Sequence, residues 1–195
     1  MKTIAAIPCY NEGLAIGSVV LKARRYVDEV LVVDDGSTDD TVEVAETAGA
    51  TVVAHEANKG KGRAVKNTLR YAVEHSFDAL VLLDGDGQHD PNEISQLLVP
   101  LINDAADLVI GFRTFDQMPA YRRVGRKVLD SATGGPVRDS QCGFRALNRK
   151  AIKMLAGTLE KDDFVVESEM TRIANEHKLR FADVEINGKK PFLKV

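Results

Sequence analysis

The sequence predicts an α/β fold in which a mostly parallel β-sheet carries helices on both faces, within one domain of 195 residues. Three observations predict it. Short β-rich runs alternate with helix-period segments through the first half, the pattern of βαβ units. The β-rich runs show little apolar/polar alternation, as strands covered on both faces should. Distinctive polar clusters follow the runs, and ligands of open α/β sheets gather outside the carboxyl ends of the strands.

The first strand is expected at Thr3–Ile7, running into Pro8-Cys9-Tyr10-Asn11-Glu12 and a helix over Gly13–Tyr26. Glu29–Val33 forms the second strand, with Asp34-Asp35-Gly36-Ser37-Thr38-Asp39 behind it. The short polar side chains of Ser37, Thr38 and Asp39 can cap free N–H groups, which places a helix at Asp39–Ala48. Gly49 then stands in its C-cap position. Strand Thr51–Ala54, helix Lys61–His75, strand Ala79–Leu83, helix Pro91–Ile102 and strand Asp107–Ile110 follow, Asp90–Pro91 marking a helix start. After Gly111 the character changes. Residues 112–140 hold six arginines and lysines, two prolines and Gly134-Gly135, with a short helix expected at about Ala120–Ser131. The tail carries Gly143–Leu147, helices at about Asn148–Ala156 and Val166–His177, and a strand at about Arg180–Ile186.

Hydrophobic content of 44% and charged content of 28% are those of a soluble globular chain. A net charge of −3 leaves no electrostatic footprint for nucleic acid. Cys9 and Cys142 lie too far apart for a disulfide framework or a zinc pattern, so reduced core or pocket thiols are expected. The apolar run at the N-terminus is too short for a signal peptide. No run approaches the ~18 to 20 apolar residues of a membrane span. A cytoplasmic location follows, with peripheral docking on a membrane left open.

The densest chemistry lies in Val81-Leu82-Leu83-Asp84-Gly85-Asp86-Gly87-Gln88-His89-Asp90-Pro91. Side chains at i and i+2 of an extended segment share a face, so Asp84 and Asp86 can aim at one point where a buried strand ends. Two carboxylates so placed repel unless a cation lies between them or one keeps its proton. Oxygen-only ligands with a glycine between them suit a hard cation, Mg²⁺ or Mn²⁺, whose open positions a diphosphate can fill. The alternative is an Asp/Gly-rich turn with solvated carboxylates. Pro8–Glu12 and Asp34–Asp39 could likewise be turns with caps. Asn58-Lys59-Gly60-Lys61-Gly62-Arg63 lacks both the Walker and the GxGxxG spacing, although a basic, glycine-rich helix start can assist anion binding.

Taken together, IPCYNE, VVDDGSTDDT, NKGKGRA and LLDGDGQHDP resemble glycosyltransferase family 2, the nucleotide-sugar transferases of the GT-A fold, over roughly residues 3–155. DGDGQH is similar to the metal motif of the polyprenol-phosphate sugar transferases, the group of dolichol-phosphate mannosyltransferase. Gly111-Phe112-Arg113 matches that group's Gly-Ser-Arg, Pro119-Ala120-Tyr121-Arg122 its Pro-x-Tyr-Arg, and the stretch from Asp139 to Phe144 its Asp-x-x-Ser-Gly-Phe. Phe112 stands where the group has a small residue, and Cys142 where it has serine.

The resemblance implies roles by position. Pro8, Tyr10, Glu12 and Asp35 would hold the base and ribose of a GDP- or UDP-hexose, with Asp34 beside them. Asp84, Asp86 and Gln88 would bind Mg²⁺ or Mn²⁺ and the donor diphosphate. Arg113 and Arg122 would clamp the phosphate of a polyprenyl acceptor at the cytosolic membrane face. Asp86, Arg113 and Arg122 are thus the expected catalytic set. Residues 1–111 would form the donor half and 112–195 the acceptor half. A single inverting displacement is implied.

The chemistry fits this inventory. A phosphate monoester is already largely ionised at neutral pH and needs cations to position it rather than a base. A glycan or small-molecule hydroxyl would want a carboxylate base. Asp163 and Glu167 are the candidates for that alternative. A sugar nucleotidyltransferase would want a basic, Gly-rich loop after the first strand, where this chain has Pro8–Glu12. A non-catalytic nucleotide-binding module would have no use for both Asp84 and Asp86.

Overall fold

The computed structural model describes residues 1–113, 139–159 and 166–187. The helix expected at Ala120–Ser131 therefore lies outside the described residues, as do Arg122 and Asp163. In chain order the elements are β1 (Thr3–Cys9), α1 (Gly13–Ala23), β2 (Glu29–Asp34), α2 (Thr41–Thr47), β3 (Thr51–Ala54), α3 (Lys61–Glu74) and β4 (Ala79–Leu82). A 3₁₀ turn, Pro91–Glu93, leads into α4 (Ile94–Ile102), followed by β5 (Leu108–Phe112), β6 (Arg145–Asn148), α5 (Arg149–Thr158), α6 (Val166–Glu176) and β7 (Phe181–Glu185).

Seven strands form one sheet in the order β3-β2-β1-β4-β6-β5-β7. β1 pairs in parallel with β2 and β4, β2 with β3, and β5 with β7. β6 runs antiparallel to both its neighbours. It arises from the segment Gly143–Leu147, to which the sequence pattern assigns no element. Being four residues long and buried through Arg145–Leu147, β6 offers too little alternation to be recognised.

The core follows the sheet. Ile4, Ala5, Ala6 and Ile7 of β1 are wholly buried, with β2 and β4 on either side and α3 packed against the strand. Each large aliphatic side chain so buried contributes about 1.5 to 3 kcal/mol. α3 packs on β1 and β2 and against α5 and α6, while α1 packs against α2 and the 3₁₀ turn, and α4 covers β4, β5 and β6.

Element ends follow local chemistry. Asp90 accepts a hydrogen bond from Asn92 N with Pro91 behind it, as expected of this helix start. Gly49 after α2 has φ 89°, which a Cβ would disfavour. α2 begins at Thr41, two residues later than its capping residues suggest. The Ser37 hydroxyl is spent on Asp34, and Asp39 is the residue that receives the Thr41 N–H, at 3.1 Å. α5 starts after Asn148, whose side chain accepts from Ala151 N at 3.0 Å.

Candidate active site

The carboxyl ends of β2, β1 and β4 lie side by side, and the polar segments after them meet the start of α3. They enclose a cleft of about 360 Å³. Its walls are Pro8, Cys9, Tyr10 and Glu12 from the end of β1, Asp35 from behind β2, and Asp84, Gly85 and Asp86 from behind β4. Asn58, Gly60, Lys61 and Ala64 close it from the α3 side. Six residues picked out by sequence, Pro8, Tyr10, Glu12, Asp35, Asp84 and Asp86, thus share one cavity.

Backbone–side chain bonds hold this rim together. Asn11, in the left-handed region at φ 55°, offers its N–H to Ser37 Oγ at 2.8 Å and accepts from Thr38 N at 2.8 Å. Glu12 N donates to Thr41 Oγ1 at 2.8 Å. Asp34 serves this scaffold. Its buried carboxylate accepts from the Ser37 N–H at 2.9 Å and from the Ser37 hydroxyl, and the side chain is not among the cleft walls.

Asp35 does face the cleft. Its Oδ1 takes the Lys59 N–H at 2.8 Å and the His55 Nδ1 at 2.7 Å, and its Oδ2 takes the Gly60 N–H at 2.8 Å. Asn67 Nδ2 lies 2.7 Å from His55 Nε2. The amide nitrogen only donates, so Nε2 accepts and the ring proton points from Nδ1 to Asp35. A carboxylate offers about four lone-pair sites, which leaves one on Oδ2 for a ligand.

At Asp84 the Lys61 ammonium lies 2.6 Å from Oδ1 and also 2.6 Å from Glu167 Oε1 of α6. Burial would raise the Asp84 carboxyl, but Lys61 outweighs it and holds the group down at about 2. His89 is wholly buried, stacked on Phe144 at 5.1 Å, and burial pushes its imidazole below the ordinary value. Its Nδ1 is 3.2 Å from the Asp84 N–H and its Nε2 3.1 Å from Arg113 Nη2, so the ring stands between Asp84 and Arg113. Asp86 accepts from Gln88 N at 2.9 Å, across the turn where Gly87 has φ 75°. Gln88 and Arg113 sit beside the cleft rather than in its walls. The two thiols are buried and free, and burial pushes the Cys142 thiol up to about 12.

Lys61 and His89 are the residues that sequence reasoning passed over. Lys61 was visible only within a basic, glycine-rich helix start, and His89 only as part of a turn. Glu167, a candidate base by sequence, is instead the partner of Lys61.

The oxygen donors of this site suit a divalent cation. Asp84 and Asp86 bring carboxylate oxygens to one cavity, and among the described residues no three His, Cys, Asp or Glu side chains form a metal cluster. A hard cation completed by diphosphate and water oxygens fits.

Residues 4–156 match the sequence profile of glycosyl transferase family 2. The chain belongs to glycosyltransferase family 2. It is 33% identical over 207 residues to the UDP-N-acetylglucosamine–dolichyl-phosphate N-acetylglucosaminyltransferase of Methanococcus voltae, covering 92% of this chain and 82% of that one. It is 31% identical to the undecaprenyl-phosphate mannosyltransferase of Micrococcus luteus, covering 88% and 76%. Its fold superposes on glucosyl-3-phosphoglycerate synthase from Mycobacterium tuberculosis with a TM-score of 0.80 at 26% identity, over all of this chain and 73% of that one. That structure holds Mn²⁺, uridine diphosphate and glucosyl-3-phosphoglycerate. The family 2 assignment makes this protein a glycosyltransferase with the GT-A fold. Among its described residues no helix is long and apolar enough to cross a membrane.

Proposed function

We propose that this glycosyltransferase moves a hexose from a nucleotide sugar to a polyprenyl phosphate, with Mg²⁺ or Mn²⁺ held by Asp84 and Asp86. The observation that carries the reading is the single cleft shared by Tyr10, Asp35, Asp84 and Asp86. Tyr10 is 43% exposed on its wall and offers a ring face to a base. Asp35 keeps one lone pair for a base N–H. Pro8 and Glu12 shape the same end, and the Asp84–Asp86 end takes the diphosphate. The bound cation would neutralise charge developing on the leaving nucleoside diphosphate.

Arg113, one imidazole away from Asp84, would hold the acceptor phosphate, a reading supported by its nearness to the Asp84 loop. Arg122 joins it by motif position. With an ionised phosphate as nucleophile no general base is required, and Glu167, already engaged by Lys61, is not asked to be one. The displacement is a single inverting step. The donor half is 1–111 and the acceptor half 112–195 of one domain, working against the cytosolic face of a membrane through peripheral contact. Relatives named for dolichyl and undecaprenyl phosphates support this acceptor class.

A hydroxyl acceptor is the second reading, favoured by the structural likeness to a synthase crystallised with phosphoglyceric acid. Arg113→Lys separates the two. A point-charge ammonium cannot reproduce a guanidinium fork, so transfer to polyprenyl phosphate should fall about tenfold or more while slow donor hydrolysis survives. Unchanged transfer to polyprenyl phosphate in that variant would remove Arg113 from the acceptor site, and label entering only a hydroxyl acceptor in the parent would establish the second reading.

A further inference from the structure

Lys61 occupies an unusual position for a cleft residue. Its ammonium is equidistant, at 2.6 Å, from Asp84 Oδ1 and Glu167 Oε1, and it shares the cavity with the carboxylates of Glu12, Asp35, Asp84 and Asp86. Without a positive group beside them, four carboxylates on one small cavity would repel. The two bonds to Lys61 are not equivalent. Asp84 stands on the metal loop, with its Oδ2 2.9 Å from where a Cβ on Gly143 would lie. Glu167 stands on α6, and that helix is clamped from behind. The wholly buried Arg145 donates from Nη1 to Glu167 O at 2.8 Å and to Thr171 Oγ1 at 3.0 Å, and from Nε to Cys142 O at 2.8 Å.

From this arrangement we infer that Lys61 is the resident counter-ion of the cation site, bonded to Asp84 while the cation is away and retained by Glu167 when the cation takes Asp84. Glu167 is then a positioning residue acting through Lys61. The inference rests on the proposed role of Asp84 as a cation ligand. It predicts that the lysine competes with the metal and that Glu167 relieves the competition. No bond is made or broken beyond an exchange of ionic partners.

The test is Mn²⁺ binding by the full chain without donor, read from the electron paramagnetic resonance of free Mn²⁺ and from the rise in Tm that Mn²⁺ causes. Lys61→Met should tighten Mn²⁺ about tenfold, because the competing charge is gone. Glu167→Gln should weaken it by about the same factor, because Lys61 then has only Asp84 to pair with. In the Lys61→Met background Glu167→Gln should have little further effect, since its influence passes through the lysine. A plain field effect of the two charges would instead leave the Glu167→Gln factor the same in both backgrounds, and that result would overturn the inference. So would unchanged or weaker Mn²⁺ binding by Lys61→Met. Lys61→Gln replaces it in the cycle if the methionine variant does not fold. Asp84→Asn serves as the control, for if it binds Mn²⁺ as the parent does, the cation reading of Asp84 fails as well. A loss of binding in Asp84→Asn with no coupling in the cycle would reject the counter-ion role alone.

Discussion

Tyr10 and Gly143 show how single positions shape this cleft without supplying any of its charge. The Tyr10 ring is partly exposed, so its removal costs the fold little, but base–aromatic stacking contributes about 1 to 3 kcal/mol per base. Tyr10→Ala should therefore raise the donor KM about tenfold with kcat nearly unchanged, as steady-state kinetics with varied nucleotide sugar will show. Gly143 makes the opposite kind of contribution. A Cβ there would sit 2.9 Å from Asp84 Oδ2 and 3.1 Å from Oδ1, too close unless the carboxylate shifts. Gly143→Ala should cut kcat at least about tenfold while leaving Tm within a few degrees, because misplacing a ligand by a fraction of an ångström is costly to positioning. At this scale the sequence was legible wherever a motif lay on one segment. Asp84 and Asp86, two residues apart in the turn behind β4 rather than on the strand itself, could be read directly. The Lys61–Glu167 pair could not, since its partners are 106 positions apart on two helices and nothing local joins them. Asp34 and Asp35 were indistinguishable as neighbours. The turn separates them, spending Asp34 on Ser37 and turning Asp35 to the cleft.

Between elements, a highly connected ionic group lies away from the cleft. Asp107, just before β5, is buried and accepts from the Arg180 N–H at 2.9 Å, Arg180 Nη2 at 3.0 Å, Asn148 Nδ2 at 2.9 Å and Lys150 Nζ at 3.2 Å. It thereby ties the start of β5 to the end of β6 and the approach to β7. Burial would raise its carboxyl, but the Arg180 bonds outweigh that and hold it well below the usual carboxylate range. A depressed folded pKa stabilises the fold fully above the unfolded value of about 3.9, and this contribution is lost as pH falls toward the folded value. Asp107→Asn should lower stability by about 2 kcal/mol at pH 7, and its deficit against the parent should shrink below about pH 4. Urea titrations of both chains across pH 3 to 7 will measure this. The central strands β1, β2 and β4 were legible because burial on both faces leaves an almost unbroken apolar run, whereas the edge strands β3 and β7 are only partly buried. β6 was not legible, because its partners β4 and β5 lie far upstream in the chain and its four residues show no period.

Across the whole molecule, the sheet brings together segments that no local rule connects. Three strand ends and one helix start meet because β2, β1 and β4 are neighbours in the sheet order, although β3 separates β2 from β4 in the chain. The sequence already implied that convergence, since polar clusters after parallel strands must share a rim. The place of Arg113 was less legible, for it meets the Asp84 loop through His89 rather than from the cleft wall. Radiolabelled hexose followed from UDP- and GDP-sugars into organic-soluble product, with Mn²⁺ or with EDTA, separates cation-dependent transfer to a polyprenyl phosphate from its alternatives. Labelled product is expected from polyprenyl phosphate in Mn²⁺, none in EDTA, and none when unphosphorylated polyprenol replaces the acceptor. Full transfer in EDTA, or equal transfer to the free alcohol, would contradict the proposed reaction.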